Sequence, residues 1–236
     1  MTALDVMAEL QEYASDADAA NLAWFFKTGP GEYGEGDQFI GVKVPLIRRV
    51  CKQFRQLPLT EVRRLIESPI HEHRACGLII LTLQYPRSEH KQAIFEMYIE
   101  ELKKGNINNW DLVDVTCRAI IGEHCRENRE MLYVLAKSDN LWERRTAIVS
   151  TFIYIAEGDP STSLELAELL LHDTHDLMHK AVGWTLREVG KRCDRSLLID
   201  FLDHHAANMP RTCLRYAIEH LAEPTRQYYL GLKRIR

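Results

Sequence analysis

Arg145-Thr146-Ala147 is one copy of a short pattern that decides how the rest of the chain is interpreted. The pattern is a basic residue, then Ala or Thr, then a small or branched residue, and it recurs at Arg74-Ala75-Cys76, Lys180-Ala181-Val182 and Arg211-Thr212-Cys213. The copies begin 71, 35 and 31 residues apart, so the first interval spans about two units. The missing copy falls near Trp110. A period near thirty-five residues is typical of stacked helix pairs.

Apolar residues recur at three- and four-residue intervals along nearly the whole chain, whereas alternating strand patterns are nearly absent. The periodicity predicts helices over 3–15, 17–27, 45–56, 59–68, 70–85, 88–104, 109–124, 127–137, 140–157, 161–171, 175–193, 195–205, 209–221 and 224–232. The chain is therefore predicted to be all-α. Because the ankyrin and tetratricopeptide signatures are missing, we predict an α-solenoid of HEAT-like helical repeats that forms a single domain over residues 1–236.

Composition limits the class of protein. The chain has 236 residues, of which 46% are hydrophobic, and this is enough for one sizeable core; two domains are possible but not required. We find neither a run of about eighteen apolar residues nor a signal-peptide pattern at the start, so we expect a cytoplasmic monomer without membrane contact. Six cysteines without a C-x-x-C pair indicate reduced thiols.

The formal net charge of -4 neither indicates nor excludes a nucleic-acid partner, because only the local field steers a polyanion. Solenoids curve, and the helices that carry the recurring basic position are expected to form the inner layer. Their side chains would then line one concave, basic groove. The residues that this repeat register predicts as neighbours there are Arg74, Trp110, Asp114, Arg145, Lys180, Trp184, Arg187, Arg211 and Arg215.

Two acidic residues near position 110 have different expected roles. Asp111 follows Asn108 and Asn109 and is expected to help start a helix, where a carboxylate favours the positive end of the dipole. Asp114 lies one turn further in, on the same helical face as Trp110, where a carboxylate has no capping role. The alternative for Asp114 is an ion pair with a basic residue four positions later, at Arg118.

The aromatic and basic candidates also have alternatives. Trp110 and Trp184 are candidates for contact with a ligand, but large aromatic residues at helical spacing usually pack in a core, and we assign Trp142 to packing. Arg145 is a candidate for phosphate contact, although it could instead pair with Glu143 or with an adjacent helix. Basic residues at one repeat position on one face favour phosphate contact, and Lys180, Arg187 and Arg211 are further candidates.

Residues 28–44 contain five glycines and three acids, and they are predicted to form a flexible surface loop rather than a phosphate cradle, because no G-K-[ST] follows. Lys43 precedes a helix that starts at Pro45 and lies near Arg48 and Arg49, so it is a candidate phosphate contact. His172, His175 and His179 have no H-E-x-x-H context, and we expect neither a metal nor a nucleotide cofactor.

The stretch Asn108-Asn109-Trp110-Asp111-Leu112-Val113-Asp114 resembles a block of the AlkD-type DNA alkylation repair glycosylases. Further blocks resemble that family in the same order, at 39–45 with Arg48 and Arg49, 138–145, 180–188 and 209–217. The resemblance runs from about residue 20 to residue 221, nearly the whole chain. It implies a HEAT-like solenoid that grips alkylated double-stranded DNA in its concave face and releases cationic alkylpurines, such as 3-methyladenine and 7-methylguanine.

The resemblance also implies individual roles. Asp114 matches the catalytic carboxylate, Arg145 the phosphate-binding arginine, and Trp110 and Trp184 the aromatic walls around the lesion nucleotide. Where some members have a tyrosine on an early helix this chain has Phe25, so the hydroxyl contact expected there is missing. The family mechanism further implies that the base need not be extruded into a deep pocket.

The predicted chemistry needs one carboxylate. Cleavage of an N-glycosidic bond builds positive charge on the sugar, which a carboxylate stabilises while it orients water, and alkylation has already made the purine a good leaving group. We therefore predict a DNA glycosylase without a cofactor. Two alternatives remain open: a non-catalytic HEAT-like binder of damaged or distorted DNA, in which Asp114 only pairs with Arg118, and a scaffold whose basic face binds an acidic partner.

Overall fold

The structure, a computed structural model, describes residues 1–232, which fall into two compact units, Met1–Ile120 and Ile121–Arg236, the second described as far as Leu232. Both units are helical, and β-structure within residues 1–232 is limited to an isolated bridge between Gln38 and Ile70. The all-α prediction is confirmed. A single domain over 1–236, whose last four residues lie outside the described part, stays a prediction.

Unit 1 is built around one almost wholly buried helix. Its helices are α1 (Ala3–Gln11), α2 (Asp16–Phe25), α3 (Val44–Gln53), α4 (Leu59–Ile66), α5 (His71–Gln84), α6 (Lys91–Lys103) and α7 (Trp110–Cys117). Every residue of α5 from His71 to Leu81 is buried, because α1, α3, α4 and α7 pack around it. From Ala75 to Leu81 this buried helix is apolar on every face, whereas its first turn, His71–Arg74, is polar.

Unit 2 is centred on its longest helix. Its helices are α8 (Glu130–Ala136), α9 (Leu141–Ser150), α10 (Phe152–Ala156), α11 (Ser161–Leu169), α12 (Asp176–Arg192), α13 (Arg195–His205), α14 (Arg211–Ala217) and α15 (Glu223–Gly231). The helices α9, α11, α13 and α14 pack against α12. A Cβ atom at Gly183 would lie 2.4 Å from the Cys213 carbonyl oxygen, so only glycine lets α14 approach α12 this closely.

Each of the fourteen segments predicted from periodicity contains a helix, and most ends are shortened by up to a few residues, while α2, α3 and α15 begin one residue earlier than predicted. Two segments differ in their interior. The segment 140–157 is divided at Thr151, whose hydroxyl donates to the Ile148 carbonyl oxygen at 2.7 Å and so competes with the backbone hydrogen bonds. The segment 109–124 changes from α-helix to a π-helix at Arg118–Gly122. Within residues 1–232, no helix has the combined length and apolar character needed to cross a membrane.

The repeat period is present, but the register predicted from the basic residues is wrong, by one position at Arg145 and Lys180 and by three positions at Arg211. Helices α5, α9, α12 and α14 begin at residues 71, 141, 176 and 211, so successive starts differ by 70, 35 and 35. The Arg74 guanidinium donates to the carbonyl oxygens of the residues six and five positions earlier, and Arg144 does the same. Arg144, not Arg145, is therefore the equivalent of Arg74, and two adjacent arginines hid this in the sequence.

Candidate functional site

Helix α7 carries the two most informative candidate residues of unit 1. Asn109 is its N-cap, with a side-chain oxygen that accepts from the Trp110 backbone N–H at 2.8 Å. Trp110 and Asp114 follow at i and i+4, on one face of the helix, and both side chains are half-buried. Because capping is done by Asn109, the Asp114 carboxylate in the second turn has no role in starting the helix.

The Trp110 indole lies in an aromatic group. Its ring centroid is 6.0 Å from that of Phe25 and 5.4 Å from that of Phe26, and its Nε1–H donates to the Tyr33 hydroxyl at 3.3 Å. Phe25 has no hydroxyl to offer at this place. The structure brings a phenol from the 28–44 loop to the indole nitrogen instead, a contact that sequence reasoning missed because Tyr33 is 77 residues away from Trp110.

Unit 1 also contains a buried network of charged groups that the sequence did not predict. Asp37 accepts from Arg74 Nη2 at 2.7 Å and from His71 Nδ1 at 3.1 Å, and His71 Nε2 donates to Asp111 at 2.9 Å. The rings of Phe26 and Phe39 stack on the imidazole at 4.9 and 4.7 Å. Asp111 lies in the first helical turn as expected, but its partner is a histidine on α5.

Burial and hydrogen bonding shift the pKa values of His71 and Asp37 in opposite directions. Burial alone would lower the pKa of His71, but hydrogen bonds to Asp111 and Asp37 outweigh it and raise the pKa to about 9. Burial alone would raise the pKa of Asp37, but His71 and Arg74 hold it below its ordinary value. At neutral pH the imidazolium is therefore charged and held between two carboxylates.

The structure contradicts the prediction that Arg74 lines the groove. Its side chain is 5% exposed and is committed to Asp37, Asn108 and two backbone carbonyl oxygens. A guanidinium buried in this way fastens the 28–44 loop to α5 and is not presented to a ligand. The repeat pattern placed it in the groove because a buried structural arginine and an exposed one have the same sequence signal.

The 28–44 loop is only partly the flexible surface loop that its glycines suggest. Its second half is anchored, because the Glu72 carboxylate accepts from the backbone N–H groups of Ile40, Gly41 and Val42 at 2.8–3.2 Å. Gly41 has φ +80, and a Cβ atom there would lie 2.0 Å from the Ser15 carbonyl oxygen. Only glycine fits this contact.

In unit 2 the two candidate residues of highest interest are less exposed than the prediction assumed. Arg145 on α9 is 5% exposed, and its Nη1 donates to the Leu177 carbonyl oxygen at 2.7 Å. Trp184 on α12 is half-buried, and its ring meets Phe152 edge-on at 4.4 Å between centroids. One side of Trp184 therefore serves packing. Trp142 is buried, as assigned.

The remaining predicted phosphate contacts have acidic or carbonyl partners. Lys43 pairs with Asp18 at 3.2 Å and Lys180 with Asp176 at 2.7 Å. Arg187 pairs with Glu219, and Arg211 donates to the carbonyl oxygens of Leu230 and Leu232 at 3.1 and 3.3 Å. Lys43 and Arg211 lie on the surface, and a phosphate would compete with weak partners there. Their contact with DNA stays a prediction, as does one groove uniting all the candidates.

The histidines near α12 have structural roles. His175 is the N-cap of α12 and accepts from the Leu177 backbone N–H at 3.1 Å. His179 Nε2 donates to the Asp173 carbonyl oxygen at 2.6 Å, and His179 occupies the repeat position of Arg74 and Arg144. Over residues 1–232, no group of three His, Cys, Asp or Glu side chains is arranged to hold a metal ion.

A sequence comparison supplies the family. The profile of a family described as DNA alkylation repair enzyme matches residues 6–221, most of the chain. The chain belongs to the DNA alkylation repair enzyme family. Membership supports a role in alkylation repair, with DNA as the partner.

The fold of this family member is similar to that of a protein from Enterococcus faecalis described as a predicted DNA alkylation repair enzyme. The TM-score is 0.67 at 15% sequence identity, and the similarity covers 89% of this chain and 97% of that chain. Identity this low shows the fold alone. No curated protein matches the chain by sequence.

Proposed function

We propose that the protein is a DNA glycosylase that hydrolyses the N-glycosidic bond of cationic alkylpurines, such as 3-methyladenine and 7-methylguanine, in duplex DNA. The observation that carries the proposal is the arrangement on α7, where Asp114 and Trp110 share one face and Asn109 does the capping. A partly accessible carboxylate one turn from an indole suits a site that meets a sugar and a cationic base.

The proposed reaction needs Asp114 as its carboxylate. As the bond between the sugar C1′ and the purine nitrogen breaks, the electron pair leaves with the base and positive charge develops on the sugar. The Asp114 carboxylate stabilises that charge and orients the water that adds to C1′. The His71 imidazole has both ring nitrogens bonded to carboxylates, so it is not available as a general acid. A cationic alkylpurine does not require one.

The other candidates take supporting roles in the proposal. The indoles of Trp110 and Trp184 attract a cationic base through their faces and keep bulk water from the reacting bond. Arg145 holds a phosphate beside the lesion through a bidentate contact, for which it must exchange its bond to the Leu177 carbonyl oxygen. The candidates for further backbone phosphates are Lys43, Lys180, Arg187 and Arg211.

The test is to identify the products. Wild-type protein is incubated with methylated and with unmodified duplex, and freed bases are separated by chromatography. We expect 3-methyladenine or 7-methylguanine from the methylated duplex only, with abasic sites left behind. Asp114→Asn should slow release by about 10²–10³-fold and keep duplex affinity. Asp200→Asn, which removes an exposed charge from α13, is the matched control and should release base at the wild-type rate.

Two outcomes would contradict the proposal. If no base is freed while a control glycosylase cleaves the same duplex, the protein is not an alkylpurine glycosylase, and salt-sensitive binding without release would identify a non-catalytic binder of damaged DNA. If Asp114→Asn releases base as fast as wild type, the carboxylate has been assigned wrongly.

A further inference from the structure

Unit 1 has an open cavity of about 340 Å³ between the ends of α3 and α5, which we call the α3–α5 cavity. Its wall comes from the loop between α3 and α4, the end of α5 and the segment after α5, at residues 55–59, 83–84, 87, 88 and 90. None of these wall residues is acidic, and none belongs to the proposed glycosylase site. Ligand pockets span roughly 300–1,000 Å³, so this volume suits one large side chain with its flanking groups.

The rim of the α3–α5 cavity carries cations without a counter-charge. Arg55 and Arg87 are exposed, and within residues 1–232 neither side chain has an ion-pair or hydrogen-bond partner. Residues 38–60 contain five cations and no acid, and Glu89, next to the rim residue His90, is exposed and not part of the wall. The rim therefore keeps a positive field, which favours an anionic partner.

The neighbouring arginines of unit 1 do not share this property. Both arginines of α4 are paired, Arg63 with Glu100 and Arg64 with Glu61, each at 2.7 Å. The chain as a whole has a formal net charge of -4, so acids are plentiful. The unpaired state of the two rim arginines is therefore particular to this cavity.

The rest of the wall includes an apolar surface. Leu57 is buried, Leu59 is half-buried and Leu83 exposes 40% of its surface. An exposed leucine that continues into a cavity is better covered by an apolar group than by water. A nucleic-acid backbone would use the two arginines through its phosphates and leave the leucines uncovered. The combination favours a peptide that brings both a carboxylate and an apolar side chain.

The α3–α5 cavity is held in shape by its own wall. The Gln84 Nε2 atom donates to the carbonyl oxygens of Arg55 and Leu57 at 3.0 and 2.8 Å, which fastens the loop between α3 and α4 to the end of α5. Pro86, whose ring fixes its φ, precedes Arg87 in a short 3-10 helix. A site that is already formed loses little conformational freedom when a ligand binds.

We propose that the α3–α5 cavity docks a short acidic segment of a partner protein. One leucine-sized side chain of that segment packs against Leu59 and Leu83, and its carboxylates are bound by Arg55 and Arg87. A guanidinium takes a carboxylate through two parallel N–H···O bonds, and an apolar anchor inside a polar rim is the common anatomy of protein interfaces. The proposal goes beyond the glycosylase activity and does not rest on it.

The test uses the full chain and three labelled peptides of equal length. The first peptide alternates leucine with aspartate and glutamate, the second has serine for each leucine, and the third has lysine for each acid. Binding is measured by fluorescence anisotropy at physiological salt. We expect the second and third peptides to bind at least about tenfold more weakly than the first, because each lacks the anchor or the charges that the cavity needs.

Variants of the cavity locate the binding. Arg55→Glu and Arg87→Glu should each weaken binding of the first peptide at least about tenfold, and Leu83→Gln about fivefold. Lys137→Glu and Val134→Gln, at exposed positions of unit 2, are the matched controls for charge and for apolar surface. Both controls should bind the first peptide as wild type does.

Duplex binding by the same variants separates a peptide from a nucleic acid. Loss of the first peptide by both rim variants, with duplex affinity within about twofold of wild type, supports the proposal even if no base is ever released from DNA. Absence of binding by wild type at about 1 mM of the first peptide, or equal binding by both rim variants, overturns it. A rim that instead contacts phosphates would show no peptide binding and a salt slope for duplex lowered by about 1 in each variant, which also overturns it.

Discussion

The two units hold their candidate residues in different ways. In unit 1, α7 is tied to α5 and to an irregular loop by a buried network in which a histidine is the central charge. In unit 2, regularly spaced helices pack through apolar side chains and through an arginine–carboxylate pair, Arg144–Asp173 at 2.6 Å. The repeat positions the unit 2 residues, whereas Trp110 on α7 is also held by Tyr33 of a loop outside the repeat.

The largest expected effect comes from the glycine that lets the loop in unit 1 approach α2. Gly41→Ala places a Cβ atom 2.0 Å from the Ser15 carbonyl oxygen at φ +80, so we expect unit 1 to lose about 3–5 kcal/mol of stability. Gly36→Ala, at φ +87 with open space around it, is the matched control and should cost about 1–2 kcal/mol. Hydrogen exchange measured by mass spectrometry follows each unit separately.

Equal protection of unit 1 amides from hydrogen exchange in Gly41→Ala and Gly36→Ala would show that the loop contact does not support the unit.

Gly183→Ala extends the comparison to unit 2, where the backbone is helical and the obstacle is the Cys213 carbonyl oxygen. It should destabilise unit 2 by about 1–3 kcal/mol through overpacking and leave protection in unit 1 unchanged.

The second prediction is that the stability of unit 1 depends on pH through His71. The pKa of His71 is raised from 6.5 to about 9, so its stabilising contribution is complete below pH 6.5 and is lost as the pH rises to about 9. The stability difference between wild type and His71→Gln should therefore shrink by roughly 3 kcal/mol from pH 6 to pH 10. Urea unfolding at a series of pH values measures it.

A matched variant in unit 2 sharpens this comparison. Asp173→Asn breaks the Arg144 pair, which does not include a histidine, so its cost should stay constant between pH 6 and pH 10. If the stability difference between wild type and His71→Gln is equally independent of pH, the assignment of His71 as the charged centre of unit 1 is contradicted.

The smallest expected effect concerns DNA affinity. If Arg187 contacts a phosphate, Arg187→Gln should weaken duplex binding similarly for all sequences and reduce the slope of log K against log salt by about 1. Fluorescence anisotropy at several salt concentrations measures the slope. Arg226→Gln, which removes a half-buried cation paired with Glu223 on α15, is the control and should keep the wild-type slope. An unchanged slope for Arg187→Gln would remove this residue from the DNA contacts.

The helices could be predicted from the sequence because apolar spacing reports directly on which face of a helix is buried. The 35-residue period was also readable, but its register was not. Arg144 and Arg145 both fit the recurring basic position, and only their hydrogen bonds show that Arg144 is the equivalent of Arg74. A sequence pattern records residue types and spacing, whereas the register depends on which side chain points inward.

The surroundings of the candidate site could be predicted less well. Trp110 and Asp114 were singled out correctly as neighbours on one helix, because four-residue spacing is a local property. The bonds from His71 to Asp37 and Asp111 span 34 and 40 residues, and nothing local to those residues signals them. Long-range polar contacts of this kind follow from the packing of α5 and cannot be predicted from the spacing of residues.

The most direct test of the account is to measure base release and duplex affinity on the same variants under single-turnover conditions. We predict that Asp114→Asn slows release by about 10²–10³-fold with little change in Kd, because the carboxylate acts on charge that develops only in the transition state. For Arg187→Gln we predict a larger Kd for the duplex and a nearly unchanged rate of base release at saturation. Release by Asp114→Asn within about tenfold of wild type would contradict the assignment of the chemistry to α7.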